Sequence, residues 1–193
     1  MNKNRLEAFS DGVIAIIITI MVLEMKMPHG GELKDLLPLI PVFLSYLQSF
    51  VFISNYWVNH HHLFHTVKKV NGSMLLANLN LLFWLSMIPF ATGWVGETAF
   101  APVAVAIYGG LLVTCGLSWT LLQNSIEKNH EWNQEIKDAI DKQRRKGLLS
   151  TALYIAGILL AFVNPIISEV LFLSVSSMWL WPNKDIERAF SNE

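Results

Sequence analysis

The chain has 193 residues, of which 53% are hydrophobic and only 15% are charged, and its mean hydropathy is +0.42. A soluble domain carries about a quarter charged residues, so this composition favours an integral membrane protein over a large soluble core. A formal net charge of −1 offers no basic surface for nucleic acid, and the single cysteine, Cys115, excludes an intrachain disulfide and reads as a buried thiol.

The first element is the most informative. A charged and polar head, Arg5 to Asp11, runs directly into an apolar stretch, Gly12 to Leu23, broken only by Thr19. About 20 apolar residues cross the hydrocarbon as a helix, so the segment at about 5–25 reads as a membrane span. Glu7 and Asp11 interrupt the basic start and no small-x-small site follows, so it does not read as a cleaved signal peptide. Asp11 stands at the membrane boundary, where a carboxylate needs a partner. Arg5 is six residues away and cannot pair with it along one helix face. Candidate partners lie in Tyr56 to His62 on the second helix and at Asn78 and Asn80 on the third.

Five further helices follow at about 36–66, 71–94, 99–124, 146–163 and 166–182, the last two forming a hairpin at Pro165. The polar stretch 125–145, with alternating Glu, Lys and Asp, is compatible with helices continued beyond the membrane, but a solvated connector is the simpler reading. Lys and Arg alternate in density across the spans. The amino terminus, 67–72, 125–146 and the carboxyl tail hold Lys3, Arg5, Lys68, Lys69, Lys128, Lys137, Lys142, Arg144, Arg145, Lys146, Lys184 and Arg188. The opposite side holds only Lys26 and Lys34. Six spans with both termini in the cytoplasm satisfy the positive-inside rule, and Trp94, Trp132, Trp179 and Trp181 fall near the boundaries.

At about 100° per residue, Phe9, Gly12, Ile16, Thr19, Ile20 and Leu23 share one stripe of the first helix, and Asp11 lies well off it. The stripe has two readings: ordinary packing or lipid contact, and a pore seam in which an apolar ring gates by dewetting and a threonine hydroxyl replaces part of an ion's hydration. Periodicity does not separate them. The run His60-His61-His62 points in three directions, and only His61 and His65 share a face, so no fixed metal site is expected. Glu169, the other charged residue near membrane depth, could face a polar pocket or the outer interface. Gly109, Gly110, Gly116 and Gly157 most simply permit close helix packing. No nucleophile elbow, phosphate loop or catalytic carboxylate pair is present, so no enzyme activity is expected. The sequence shows neither an internal repeat nor paired broken helices, which weighs against an inverted-repeat transporter. A six-span subunit this small suits a symmetric oligomer with its pore on the axis.

Several of these residues together resemble a known family. Arg5-x-x-x-Phe9-Ser10-Asp11 followed by Ile16, Thr19 and Leu23, then Tyr56-Trp57-x-x-His60-His61-x-Leu63-Phe64, then Asn80 to Phe83 through Pro89-Phe90 and Gly96-Glu97, resemble the motifs of the Transmembrane protein 175 family of potassium channels. The resemblance covers roughly the first hundred residues; beyond them only the span count matches. It implies a prokaryotic, all-α, multi-pass protein of the cell membrane, a homotetramer of six-span subunits with the first helix lining a central pore. It assigns the constriction to Ile16, with Ile20 and Leu23 on the same wall and potassium passing transiently near Thr19. It assigns Arg5, Phe9, Ser10, Asp11, Trp57, His60, His61 and Asn80 to a structural and gating network. It implies no cofactor beyond permeant potassium, and as partners only further copies of the chain and the bilayer. The alternatives are an ion- or proton-coupled transporter that uses Asp11 and the second-helix histidines, and a non-conducting scaffold.

Overall fold

The computed structural model describes residues 2–129 and 134–180, so Trp132, Trp181, Lys184 and Arg188 lie outside the described residues. All its regular elements are helical: α1 (Lys3–Leu23), a 3-10 segment (Leu33–Leu39), α2 (Ile40–His65), α3 (Gly72–Ser86), α4 (Ile88–Glu97), α5 (Pro102–Glu127), α6 (Gln134–Leu160) and α7 (Pro165–Trp179). The 3-10 segment runs into α2, and α3 with α4 makes one bent span, so six membrane elements follow in the expected order. The stretches Lys3–Leu23, Leu33–His65, Gly72–Glu97 and Pro102–Glu127 are each long and apolar enough to cross a membrane. At about 1.5 Å per residue, α7 reaches about 22 Å, short of a full hydrocarbon core.

The boundaries have local causes. Asn2 caps α1 by accepting the Asn4 N–H, Asn71 caps α3 by accepting the Met74 N–H, and Asn164 caps α7 by accepting those of Ile166 and Ile167. The third helix, expected unbroken over 71–94, bends at Met87, because Pro89 lacks an N–H and its ring crowds the carbonyl four residues back. The fourth starts at Pro102, not 99. Ala99 and Phe100 stand at φ 47° and 65°, where the Phe100 N–H donates to Val95 O at 2.9 Å and the Ala99 N–H to Gly96 O at 3.2 Å. This is a Schellman cap with alanine where glycine usually sits. Ala99→Gly is therefore expected to stabilise the protein by about 0.5–1 kcal/mol, read as a higher melting temperature in detergent.

Most of the described residues of 125–145 are helical, where a solvated connector was the simpler expectation. Helix α5 runs to Glu127 and α6 begins at Gln134, so both helices project past the membrane elements. Arg144 Nη2 ties them together by donating to Asn124 Oδ1 at 3.0 Å and Glu127 Oε2 at 2.8 Å.

The core forms in two layers. Helix α1 packs on α2, α3 and α4, while α5, α6 and α7 pack with one another and back onto α2, α3 and α4. In the second layer Phe172 is fully buried between Gly109 and Gly157, with Tyr108 and Tyr154 at its edges. A Cβ on Gly157 would overlap the Phe172 ring, so these two glycines do allow close packing. Gly110 and Gly116 do not: a Cβ on either meets nothing within 4 Å.

Candidate pore-lining face

Helix α1 is an edge element with two unlike faces. Leu6, Ser10, Ile14, Ile17 and Met21 recur every three or four residues and are buried against α2, α3 and α4. Phe9, Gly12, Ile16, Thr19, Ile20 and Leu23 lie outside the subunit core, with Ile16 57% and Leu23 79% exposed. The Thr19 hydroxyl donates to its own helix, 3.1 Å from Ala15 O and 3.0 Å from Ile16 O, which leaves its lone pairs facing outward.

Polar side chains fasten the other edges of α1. Trp57 Nε1 donates to Asp11 Oδ1 at 3.0 Å, so the carboxylate finds its partner on α2. Ser10, Asn78 and His60, all fully buried, form a chain. Asn78 Nδ2 donates to Ser10 Oγ at 2.9 Å, and Ser10 Oγ donates to Leu6 O at 2.9 Å. His60 Nε2 lies 2.8 Å from Asn78 Oδ1. The amide oxygen can only accept, so Nε2 donates to it, and Nδ1 has no partner among the described residues. The His60 ring stacks on Phe64 at 4.3 Å.

His61 Nδ1 lies 3.1 Å from Glu7 Oε1, and its Nε2 lies 3.2 Å from His65 Nε2. Lys3 Nζ donates to His65 O at 3.3 Å. At the opposite end Lys26 pairs with Glu97, whose carboxylate raises the Lys26 pKa and holds it charged. Helix α1 is thus tied at both ends and along one side, with its apolar stripe left bare.

Two site residues stand apart from this arrangement. Arg5 is exposed and makes no side-chain hydrogen bond or ion pair among the described residues. Asn80 turns away from α1 and donates through Nδ2 to Ser118 Oγ on α5 at 2.9 Å. Asn78, a candidate partner for Asp11, instead joins Ser10 to His60. The buried Glu169 faces a polar pocket inside the subunit: Gln48 Nε2 donates to its Oε2 at 2.6 Å. Nearby, Ser49 Oγ lies 2.7 Å from Thr92 Oγ1 and 2.9 Å from the Tyr108 hydroxyl. No sequence motif marks this cluster, because its members come from four helices. Among the described residues no group of three or more His, Cys, Asp or Glu is placed to hold a metal.

Residues 5–89 match the family described as endosomal/lysosomal potassium channel TMEM175. The whole chain is 49% identical over 189 residues to a potassium channel of a Chryseobacterium species, covering 98% of each. The chain belongs to the TMEM175 family. A potassium channel of Chamaesiphon minutus is 34% identical over 174 residues, 83% of this chain and 84% of its own. The crystal structure of a lysosomal potassium-selective channel TMEM175 homolog from the same organism matches with a TM-score of 0.79 at 31% identity, over 92% of this chain and 96% of that one. The endosomal/lysosomal proton channel TMEM175 of Gallus gallus is 36% identical over 111 residues, 51% of this chain but 22% of its own. The TMEM175 family match runs from α1 into the start of α4 and contains the bare stripe together with the Asp11–Trp57 and Ser10–Asn78–His60 contacts that fasten α1. TMEM175 is an ion-channel family by its description, not an enzyme family.

Proposed function

We propose that this protein is a passive, potassium-favouring cation channel of the cell membrane, with both termini cytoplasmic, formed by four copies around an axis lined by α1. The observation that carries the reading is the division of α1 into a bare apolar stripe and a fastened opposite edge. A helix held on three neighbours by Ser10, Asp11 and the buried isoleucines, yet exposed at Ile16, Ile20 and Leu23, is suited to meet its own copies. The full-length relatives named potassium channels support the permeant ion. Ile16 would form the narrow neck, with Ile20 and Leu23 on the same wall. Thr19 would offer hydroxyl oxygens to a passing ion, and a few hydroxyls replace hydration less fully than stacked carbonyl rings, so selectivity over sodium is modest. Ser10, Asp11, Trp57, His60 and His61 brace the wall without touching the ion, with Arg5 and Phe9 at its foot.

Purified protein in a planar bilayer, with potassium on one side and sodium on the other, is expected to give unitary currents reversing toward the potassium potential. A pH gradient across the same bilayer then separates potassium from proton conduction. Saturating, strictly proton-coupled flux without unitary currents would overturn the reading in favour of a transporter.

Asp11→Asn gives a second check. It removes the charge that the Trp57 N–H meets and is expected to cost about 0.5–1.5 kcal/mol, seen as fewer assembled or open channels. The preference for potassium should persist. A reversed ion preference would place Asp11 in the pore and defeat the assignment.

A further inference from the structure

Away from α1, a cavity of about 450 Å³ lies between α2, α5, α6 and α7, towards the end of the bundle that carries most of the Lys and Arg. This volume is within the range of small-molecule sites, about 300–1,000 Å³. Its walls change character along its length. At the basic end they are amides and a guanidinium: Gln143 Nε2 donates to Asn59 Oδ1 at 3.1 Å beside Arg144. Further in, Phe52, Trp119 and Tyr154 supply aromatic surface.

The space is not filled by neighbouring side chains. Gly116 of α5 and Gly147 of α6 line it, and a Cβ built on either meets nothing within 4 Å. On the α7 wall Ser176 is 2% exposed and stands beside Tyr154.

Charge selects the occupant. Helix α6 enters the bundle through Lys142-Gln143-Arg144-Arg145-Lys146. Glu127 and Asp141 partly neutralise Arg144, at 2.8 and 3.7 Å. Lys146 pairs with no carboxylate among the described residues; its Nζ instead stands 4.6 Å from the ring centre of Trp179, which also lines the cavity. A cation is thus held on the ring of a cavity-lining tryptophan at the Lys- and Arg-rich end of the bundle, and basic pockets between membrane helices suit an anionic lipid headgroup.

We propose that this cavity binds an anionic phospholipid, with its phosphate beside Lys146 and Arg144 and the upper part of one acyl chain between Gly116 and Gly147. The site is separate from the α1 stripe, so its occupancy is measured without reference to conduction.

The test uses purified full-length protein in maltoside detergent, with lipid retention scored by native mass spectrometry. The probes are dioleoyl-phosphatidylglycerol, dioleoyl-phosphatidylcholine with the same chains, and inorganic phosphate. Phosphatidylglycerol is expected to bind about fivefold more tightly than phosphatidylcholine, and Lys146→Gln to abolish that difference. Gly147→Leu fills the cavity without meeting protein atoms at its Cβ and favours the helix, so it is expected to fold while weakening phosphatidylglycerol about tenfold. Gly116→Leu repeats the test from the facing helix. Equal retention of the two lipids overturns the headgroup assignment. Unchanged phosphatidylglycerol binding in both glycine variants overturns the placement of the chain. Displacement of the lipid by inorganic phosphate alone also overturns that placement.

Discussion

Ile16→Asn is expected to raise single-channel leak by about tenfold and to weaken the preference for potassium, while the same change two residues on, Ile18→Asn, lowers the yield of folded protein instead. A tenfold change in rate needs only about 1.4 kcal/mol off the barrier to ion passage. An amide that keeps a narrow apolar ring wet can supply that much, because such rings gate by dewetting. Ile16 is exposed on the bare stripe and lies outside the buried core, so its replacement disturbs little within the subunit. Ile18 is partly buried and packs against the core. An asparagine there places an unpartnered amide among apolar side chains, at about 1–3 kcal/mol. Bilayer recording of the first variant and size-exclusion yield of the second read the two effects separately. Similar leak from both variants, or none from either, would remove α1 from the pore wall.

The placing of Ile16 on the stripe and Ile18 off it was legible in the sequence because it follows from helical period alone. So were the order of the six membrane elements and the turning of Asp11 away from the stripe. Departures arose where backbone chemistry is silent about context. Ala99 and Phe100 carry no turn signature, yet the chain places both in the left-handed region to cap α4 before Pro102. The charged run after residue 125 has the composition of a solvated loop, but α5 and α6 brace one another there through Arg144, Asn124 and Glu127. Glycine is equally mute: Gly157 seats Phe172 whereas Gly116 faces open space, and only the neighbouring helices distinguish them.

The two asparagines of α3 show the same limit on the candidate site. Asn78 and Asn80 stand in near-identical apolar surroundings in the sequence, and their side chains point about 200° apart on the helix. Nothing local says which of them faces α1. The answer depends on which face of α3 the first two helices cover, a property of the packed bundle. The amide that faces inward is Asn78.

That placement leads to the largest expected stability effect. Asn78→Ala should destabilise the protein by about 2–4 kcal/mol, whereas Asn80→Ala should cost only about 0.5–1.5 kcal/mol. Asn78 uses both ends of its amide in a fully buried position, donating to Ser10 Oγ and accepting from His60 Nε2. Its loss strands the His60 N–H in a dry site where the opposite ring nitrogen already lacks a partner, and leaves a void against α1. Asn80 makes one bond to a serine hydroxyl at a part-buried position. Removing it frees a single neutral acceptor. Melting curves in one detergent distinguish the two. The same Asn78→Ala protein should also assemble poorly, since Ser10 is the point at which α3 fixes α1 in register, and a loosened α1 cannot present Ile16 and Thr19 at a common level around an axis. Equal melting temperatures for the two alanine variants would mean that the Ser10–Asn78–His60 chain does not hold α1 in place.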